Sequence, residues 1–279
     1  MGDVREVTQM TIPWPAHLFM VGCGNMAGAM LTRWLASGLD PACVTVLRPS
    51  GKAVADGVHV ITALPATLPQ DAIVLLGMKP QQIAAVAIDL APLLHADTVL
   101  ISILAGTTLD SLRTHFPRPE AAIRVMPNTP VSVGQGVCAL YSDRKTPDTA
   151  RHAVDGLMQP LGLVEWIDDE TQFNLVTALS GCGPAYLFRF IDALASAGQA
   201  LGLQEGQAAR LALATVQGAA TLAAQSPDSP GILADRVASP GGMTRKGMDV
   251  LDQDAALLSL LTETLRAARD RGIEMAALK

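Results

Sequence analysis

Positive charge is scarce in this sequence, and charge of either sign is not plentiful. Lys and Arg number 20 against 26 Asp and Glu, a formal net charge of -6, and charged residues make up 16% of the 279. An acidic chain lacks the electrostatic footprint of a general nucleic-acid binder, so no nucleic-acid partner is expected; a local basic pocket for a phosphate stays compatible. Low charge beside 49% apolar residues excludes a disordered, highly solvated chain. No apolar run has the length of a membrane span, and AIVLLGM is strand-sized, so no membrane partner is expected. Cysteine is sparse as well: Cys23, Cys43, Cys138 and Cys182 lie far apart, without zinc-ligand or CxxC spacing. The five histidines, His17, His59, His95, His115 and His152, form no cluster. These absences set aside a metal site and a Cys–His nucleophile. The opening MGDVREVTQM carries acids and no long apolar core, and Glu6 stands where a myristoylation motif wants Ser or Thr. We expect residues 1–16 to be a flexible tail and the protein to be cytoplasmic with reduced thiols.

What is present is organised in two halves, as the length suggests. Up to residue 168 the strand-like runs HLFMVG, VTVLR, AIVLLGM, TVLISIL, AAIRVM, VCALY and LVEWI alternate with helical patterns over 26–37, 80–94, 109–115 and 147–161. This alternation predicts βαβ units, and strands without polar alternation predict a sheet covered on both faces. After residue 170 the strand signals stop. Helical patterns take over on both sides of the Gly183-Pro184 break, over EGQAARLALATVQGAATLAAQ, and over the last stretch from Asp254. The expected fold class is an α/β N-terminal Rossmann domain with a mostly parallel sheet, residues 17–168, plus an all-α C-terminal dimerisation and substrate domain, residues 169–279. Those helices carry so little charge that a subunit interface is expected to cover them.

Gly22-Cys-Gly24-Asn-Met-Ala27 follows a strand and opens a helix. Gly22 suits a tight turn, Gly24 lets backbone approach a pyrophosphate, and Ala27 allows close helix-to-strand packing. Alone, the pattern also fits a Gly-rich turn in an ordinary α/β domain. The second strand ends in Arg48-Pro-Ser50-Gly-Lys52, with no carboxylate for a ribose hydroxyl, because Asp40 precedes the strand. Two cations and a hydroxyl favour a 2′-phosphate, hence NADPH, with NADH as the alternative. In the second half, Ser239-Pro-Gly-Gly242-Met243-Thr244 joins a turn to a helix start, where backbone N–H groups suit a carboxylate. The same piece seen alone is also an ordinary helix cap.

Taken in order, MVGCGNMAGAM, GMKPQ, MPNTP, SGCGPAY and VASPGGMT resemble the pyrroline-5-carboxylate reductase family over nearly the whole chain, roughly residues 18–278. The resemblance implies reduction of the C=N bond of 1-pyrroline-5-carboxylate to L-proline by NADPH or NADH. It implies a homodimer, with higher assembly open, whose active site joins one subunit's Rossmann domain to the partner's helices. It makes Gly22, Gly24, Asn25 and Met26 the pyrophosphate loop and sets Arg48 and Ser50 at the adenosine ribose or its phosphate. Gly77, Met78, Lys79, Pro80 and Ala105 would lie along the cofactor, and Asn128 on its nicotinamide side. Ser239, Gly242, Met243 and Thr244 would form the carboxylate-and-imine pocket, with Glu170 an acid near bound proline. An imine nitrogen gains basicity as it becomes an amine, so it needs a donor; the Thr244 hydroxyl is the candidate. Three positions depart from the family's usual residues: Met243 for Thr, Cys182 for Ser and Arg236 for Asn. The rivals are a reductase of another cyclic imine, a β-hydroxyacid dehydrogenase, for which no basic motif is found, and a dinucleotide sensor without catalysis.

Overall fold

A computed structural model describes residues 14–277. The chain falls into two compact units, one ending at Gly181 and regaining the chain from Arg271, the other Cys182–Asp270. Most of the expected tail, 1–16, lies outside the described residues; Trp14, within it, packs on the core.

The first unit is built on one eight-stranded sheet in the order β3-β2-β1-β4-β5-β6-β7-β8. Its strands are β1 (Leu18–Val21), β2 (Val44–Leu47), β3 (His59–Ile61), β4 (Ile73–Leu76), β5 (Val99–Ser102), β6 (Ala121–Pro127), β7 (Gly136–Tyr141) and β8 (Gly162–Trp166). All neighbours are parallel except β6 and β7, so the sheet is the expected mostly parallel one. β3 has only three residues, too few to show a pattern, and the sequence reading does not include it. The helices are α1 (Asn25–Ala36), α2 (Ile83–Leu90), α3 (Leu109–His115), α4 (Asp148–Met158) and α5 (Phe173–Val176). The pattern over 80–94 is one α-helix between two 3-10 turns, because Pro80 and Pro92 suit only helix starts.

Side chains along β1 alternate between two cores. Leu18 and Met20 join Trp34, Val46, Leu75, Ile123 and Leu157 on one face of the sheet. Phe19 and Val21 join Val74, Leu76, Leu90, Leu100 and Phe116 on the other. With both faces covered, every position of the strand is apolar. Trp34, fully buried, donates from Nε1 to the Leu157 carbonyl at 2.7 Å and so ties α1 to the end of α4.

The strand order reverses at β1, with β2 on one side and β4 on the other. Connections diverge there, which leaves a crevice at the carboxyl ends of the two strands.

The second unit contains α6 (Gly183–Ala200), α7 (Glu205–Gln225), α8 (Pro230–Val237), α9 (Met243–Asp252) and the first part of α10 (Ala256–Ala277). α7 spans the residues its pattern predicts. α8 is absent from the sequence reading. α6 has no buried residue, and α7 has only Ala208 and Ala212. Phe188 is 63% and Leu201 90% exposed. Among the described helices none is long and apolar enough to cross a membrane.

Between α9 and α10, Asp254 (φ 50°) and Ala255 (φ 53°) are both left-handed, so the last helix starts at Ala256 rather than at Asp254. A left-handed L-residue costs roughly 1–2 kcal/mol, while glycine costs about 0.5–1 kcal/mol in chain entropy. Ala255→Gly is therefore expected to stabilise by up to about 1 kcal/mol, seen as a higher urea midpoint at fixed protein concentration with an unchanged slope. An unchanged or lower midpoint would show that this kink holds no strain.

Candidate active site

At the carboxyl ends of β1, β2 and β4 lies a cleft of about 900 Å³, lined by Gly22, Gly24, Arg48, Ser50, Gly77, Met78 and Lys79 among others. Its floor is a close contact between two strand ends. Gly22 has φ +85°, and a Cβ there would lie 2.9 Å from the Met78 nitrogen; a Cβ on Gly77 would lie 2.9 Å from Ala27 Cβ and 3.0 Å from the Gly22 oxygen. The Gly22 N–H donates to the Leu47 carbonyl and the Gly77 N–H to the Val21 carbonyl, both at 2.9 Å.

Gly24 is a glycine for a different reason. Its φ is −80°, open to any residue, and a Cβ on it would meet no described atom within 4 Å. The space it leaves belongs to the cleft. As the N-cap of α1 it supplies no side chain to the first N–H groups, and no acid stands in the first turn. An uncapped helix start facing a cleft suits an anion.

At the rim, Arg48 to Gly51 make a tight turn closed by the Gly51 N–H on the Arg48 carbonyl at 3.1 Å. Arg48 Nη1 donates to the Lys52 carbonyl at 3.2 Å, which steadies the guanidinium over the cleft. Lys52 itself does not line it. Asn25, Met26 and Pro80 also lie outside the lining: the first two open α1, and Pro80 opens the 3-10 turn after β4. Ala105 sits exposed on the turn after β5. Sequence reasoning missed Thr62, Ala63 and Leu64, which follow the unread β3, and Ala85, Val86 and Asp89 of α2. Burial pushes the Cys23 thiol up, with Arg48 pulling the other way, so Cys23 stays a thiol rather than a nucleophile. The Cys138 thiol, buried, is pushed up to about 12. Among the described residues, no group of three or more His, Cys, Asp or Glu could hold a metal ion.

Asn128 is buried just after β6, and its side chain is engaged on both ends. Nδ2 donates to the Ser180 carbonyl at 2.9 Å, and Oδ1 accepts from the Val137 N–H at 2.8 Å. Ser180 belongs to a π-turn, Thr177–Gly181, that follows α5. The amide thus braces a widened turn against the sheet. Glu170 is held too: its Oε1 accepts from Arg124 Nη1 at 2.6 Å and from the Leu109 N–H at 2.7 Å. Arg124 was not foreseen, though one Arg inside AAIRVM was the available signal.

In the second unit, Gly241 has φ +71° and Gly242 is the extended N-cap of α9, without a side chain to cap it. The Gly242 N–H donates to the Ser239 carbonyl at 3.0 Å. Ser239 and Thr244 are exposed, and Met243 is 93% exposed. This start of α9 is a second open anion-type cradle, ending in the Thr244 hydroxyl. Arg236 pairs with Asp228 and Arg245 with Asp235.

Residues 170–275 match the family described as pyrroline-5-carboxylate reductase dimerisation, and residues 18–106 match NADP oxidoreductase, coenzyme F420-dependent. The pyrroline-5-carboxylate reductase of Pseudomonas aeruginosa is 34% identical over 265 residues, 93% of this chain and 97% of that one. The solved structure of a pyrroline-5-carboxylate reductase from Coxiella burnetii superposes with a TM-score of 0.84 at 31% identity, covering 93% of this chain and 98% of the other. A Plasmodium falciparum pyrroline carboxylate reductase with NADP bound gives 0.80 at 26% identity, covering 94% and 98%.

The two glycines of the cleft are expected to separate stability from binding. Gly22→Ala meets a left-handed φ and the Met78 backbone, and should lose at least about 1–2 kcal/mol of stability. Gly24→Ala, which has no clash or positive φ to meet, should cost no more than the roughly 0.5–1 kcal/mol of a poorer N-cap and weaken NADPH binding about tenfold or more in a titration. Unaltered NADPH affinity in Gly24→Ala would contradict the role given to that space.

Proposed function

The chain belongs to the pyrroline-5-carboxylate reductase family, and from this we propose that it reduces 1-pyrroline-5-carboxylate to L-proline, the last step of proline biosynthesis, with NADPH. It is an NADPH-dependent oxidoreductase acting on a C=N bond. The observation that carries the reading is a likeness running along 93% of the chain at 34% identity, not confined to one domain.

In this reading residues 17–168 hold the cofactor and 169–279 form the dimerisation and substrate domain. The start of α1, with Gly22, Gly24, Asn25 and Met26, faces the pyrophosphate. Arg48 and Ser50 meet the 2′-phosphate, a planar cation and a hydroxyl suited to its oxygens. Gly77, Met78, Lys79, Pro80 and Ala105 run along the cofactor, and Asn128 lies on its nicotinamide side. When bound, NADPH supplies the hydride that completes the new C–H bond. The chain does the rest by position. Ser239, Gly242 and Met243 hold the substrate carboxylate against the start of α9. Thr244 donates its hydroxyl to the ring nitrogen, a bond that strengthens as that nitrogen becomes an amine. Glu170 is the acid that the family resemblance sets near bound proline. No side chain has to be a strong acid, because a pyrroline can arrive protonated.

The apolar faces left open on α6, α7 and α10, with Phe188, Phe190, Leu213 and Leu258 exposed, support a homodimer closed over them. The four free cysteines suit a reducing compartment, and the cytoplasm is the location we assign.

Oxidation of NADPH on adding pyrroline-5-carboxylate, followed by absorbance, tests the activity; a six-membered cyclic imine carboxylate serves as the competing substrate. Thr244→Val keeps the shape and removes the donor, and should lower kcat by about 10² to 10³ with NADPH affinity unchanged. Arg48→Ala should raise the KM for NADPH about tenfold or more and hardly move that for NADH. Near-normal kcat in the first variant, or equal effects on both cofactors in the second, would overturn those roles. Sedimentation should give a dimer at micromolar concentration; a stable, active monomer would refute the assembly.

A further inference from the structure

Arg124 sits in the middle of β6, a strand whose seven residues are all buried. Its side chain is 6% exposed. Burying a cation there is strongly unfavourable unless it is paired and bonded, and Leu or Met would fill the place without that penalty. Its guanidinium lies 4.0 Å over the Phe173 ring while Nη1 reaches Glu170 Oε1. Burial pulls the guanidinium down from its ordinary value, and the bond and charge of Glu170 pull it back up. Arg124, Glu170 and Phe173 line a cavity of about 230 Å³ with Gly106, Thr108 and Asn174. The surrounding charge is acidic: Asp110, Asp143 and Asp169, beside Glu170, face Tyr141, whose hydroxyl burial and these acids push up. Arg113 is taken by Asp143 in a two-point pair, so Arg124 is the cation bonded to Glu170.

We propose that Arg124 is a positioning residue: with the Leu109 amide it holds Oε1 of Glu170 and so turns the second oxygen toward the cavity, as acceptor for the N–H of a cyclic iminium or secondary amine. The proposal rests on Glu170 meeting the substrate nitrogen. The chemistry divides two tasks. A neutral imine nitrogen has only a lone pair and needs a donor; once protonated it has only an N–H and needs an acceptor. A carboxylate free to rotate would serve that N–H in a fraction of its orientations, and a fork held from below keeps the acceptor in place.

The test uses the intact enzyme, after wild-type turnover of pyrroline-5-carboxylate has been measured; its absence would overturn the functional reading rather than this one. L-Proline and cyclopentanecarboxylate share a ring and a carboxylate, and only the first has an N–H. Arg124→Met should weaken L-proline binding and lower kcat/KM about tenfold or more, the loss of one charge-assisted bond. It should leave the affinities for cyclopentanecarboxylate and NADPH within about twofold. Added to Glu170→Gln, it should have little further effect on L-proline. Arg124→Lys should recover part of the loss, and carries the same two-ligand comparison if the Met variant does not fold. Equal weakening of both ring carboxylates, additive effects with Glu170→Gln, or a Glu170→Gln enzyme that binds both ligands normally would each overturn the role.

Discussion

The contact between Gly22 and Gly77 is the constraint from which the rest of the first unit follows. Two parallel strands leave the sheet side by side and their chains turn in opposite directions, so their ends come within van der Waals distance. Any Cβ at either position would push the strand ends apart, and with them the start of α1 and the turn carrying Met78 and Lys79. Because the contact is backbone on backbone, the cleft above it has a rigid floor. Gly24, one step further along the chain, touches nothing in the protein. One motif therefore contains a glycine that the fold requires and a glycine whose side-chain space the fold leaves open to the cleft.

The second unit follows a different logic. Its helices are regular, but their apolar residues face outward, and α6 buries none of its own. A helix gains most of its stability from packing an apolar stripe rather than from intrinsic propensity. Such helices are stable as parts of a larger assembly, and the family's dimerisation region coincides with them. The open start of α9, with Met243 almost wholly exposed, lies in the same stretch of chain.

Electrostatics here is a matter of placement more than of shifted acids and bases. The two shifted thiols, Cys23 and Cys138, are moved toward inertness. What the molecule offers instead are helix starts without capping side chains, a steadied guanidinium at the cleft rim, and a carboxylate pinned from within the sheet. That inventory suits a reaction whose bond-making group is brought by the cofactor.

Local patterns carried much of this. Largely apolar runs identified seven of the strands, with burial on both faces removing alternation along β1 and β4 but not along β8, and the glycines with the helix after them marked the cleft. α7 and α3 were legible to the residue because their periodicity and ends are local. β3 was not, having three residues, nor was the left-handed pair Asp254 and Ala255, which no rule of composition demands. Most of all, the sequence could not show what Asn128 and Arg124 do. Their partners, Ser180 and Glu170, lie 52 and 46 residues away, and only the closing of the sheet against the following turn brings them together. Sequence by itself determined which segments become strands, helices and backbone cradles, because those depend on neighbours along the chain. Tertiary structure decided which polar side chains line a cleft and which brace the fold, because a hydrogen-bond partner is chosen by proximity in space.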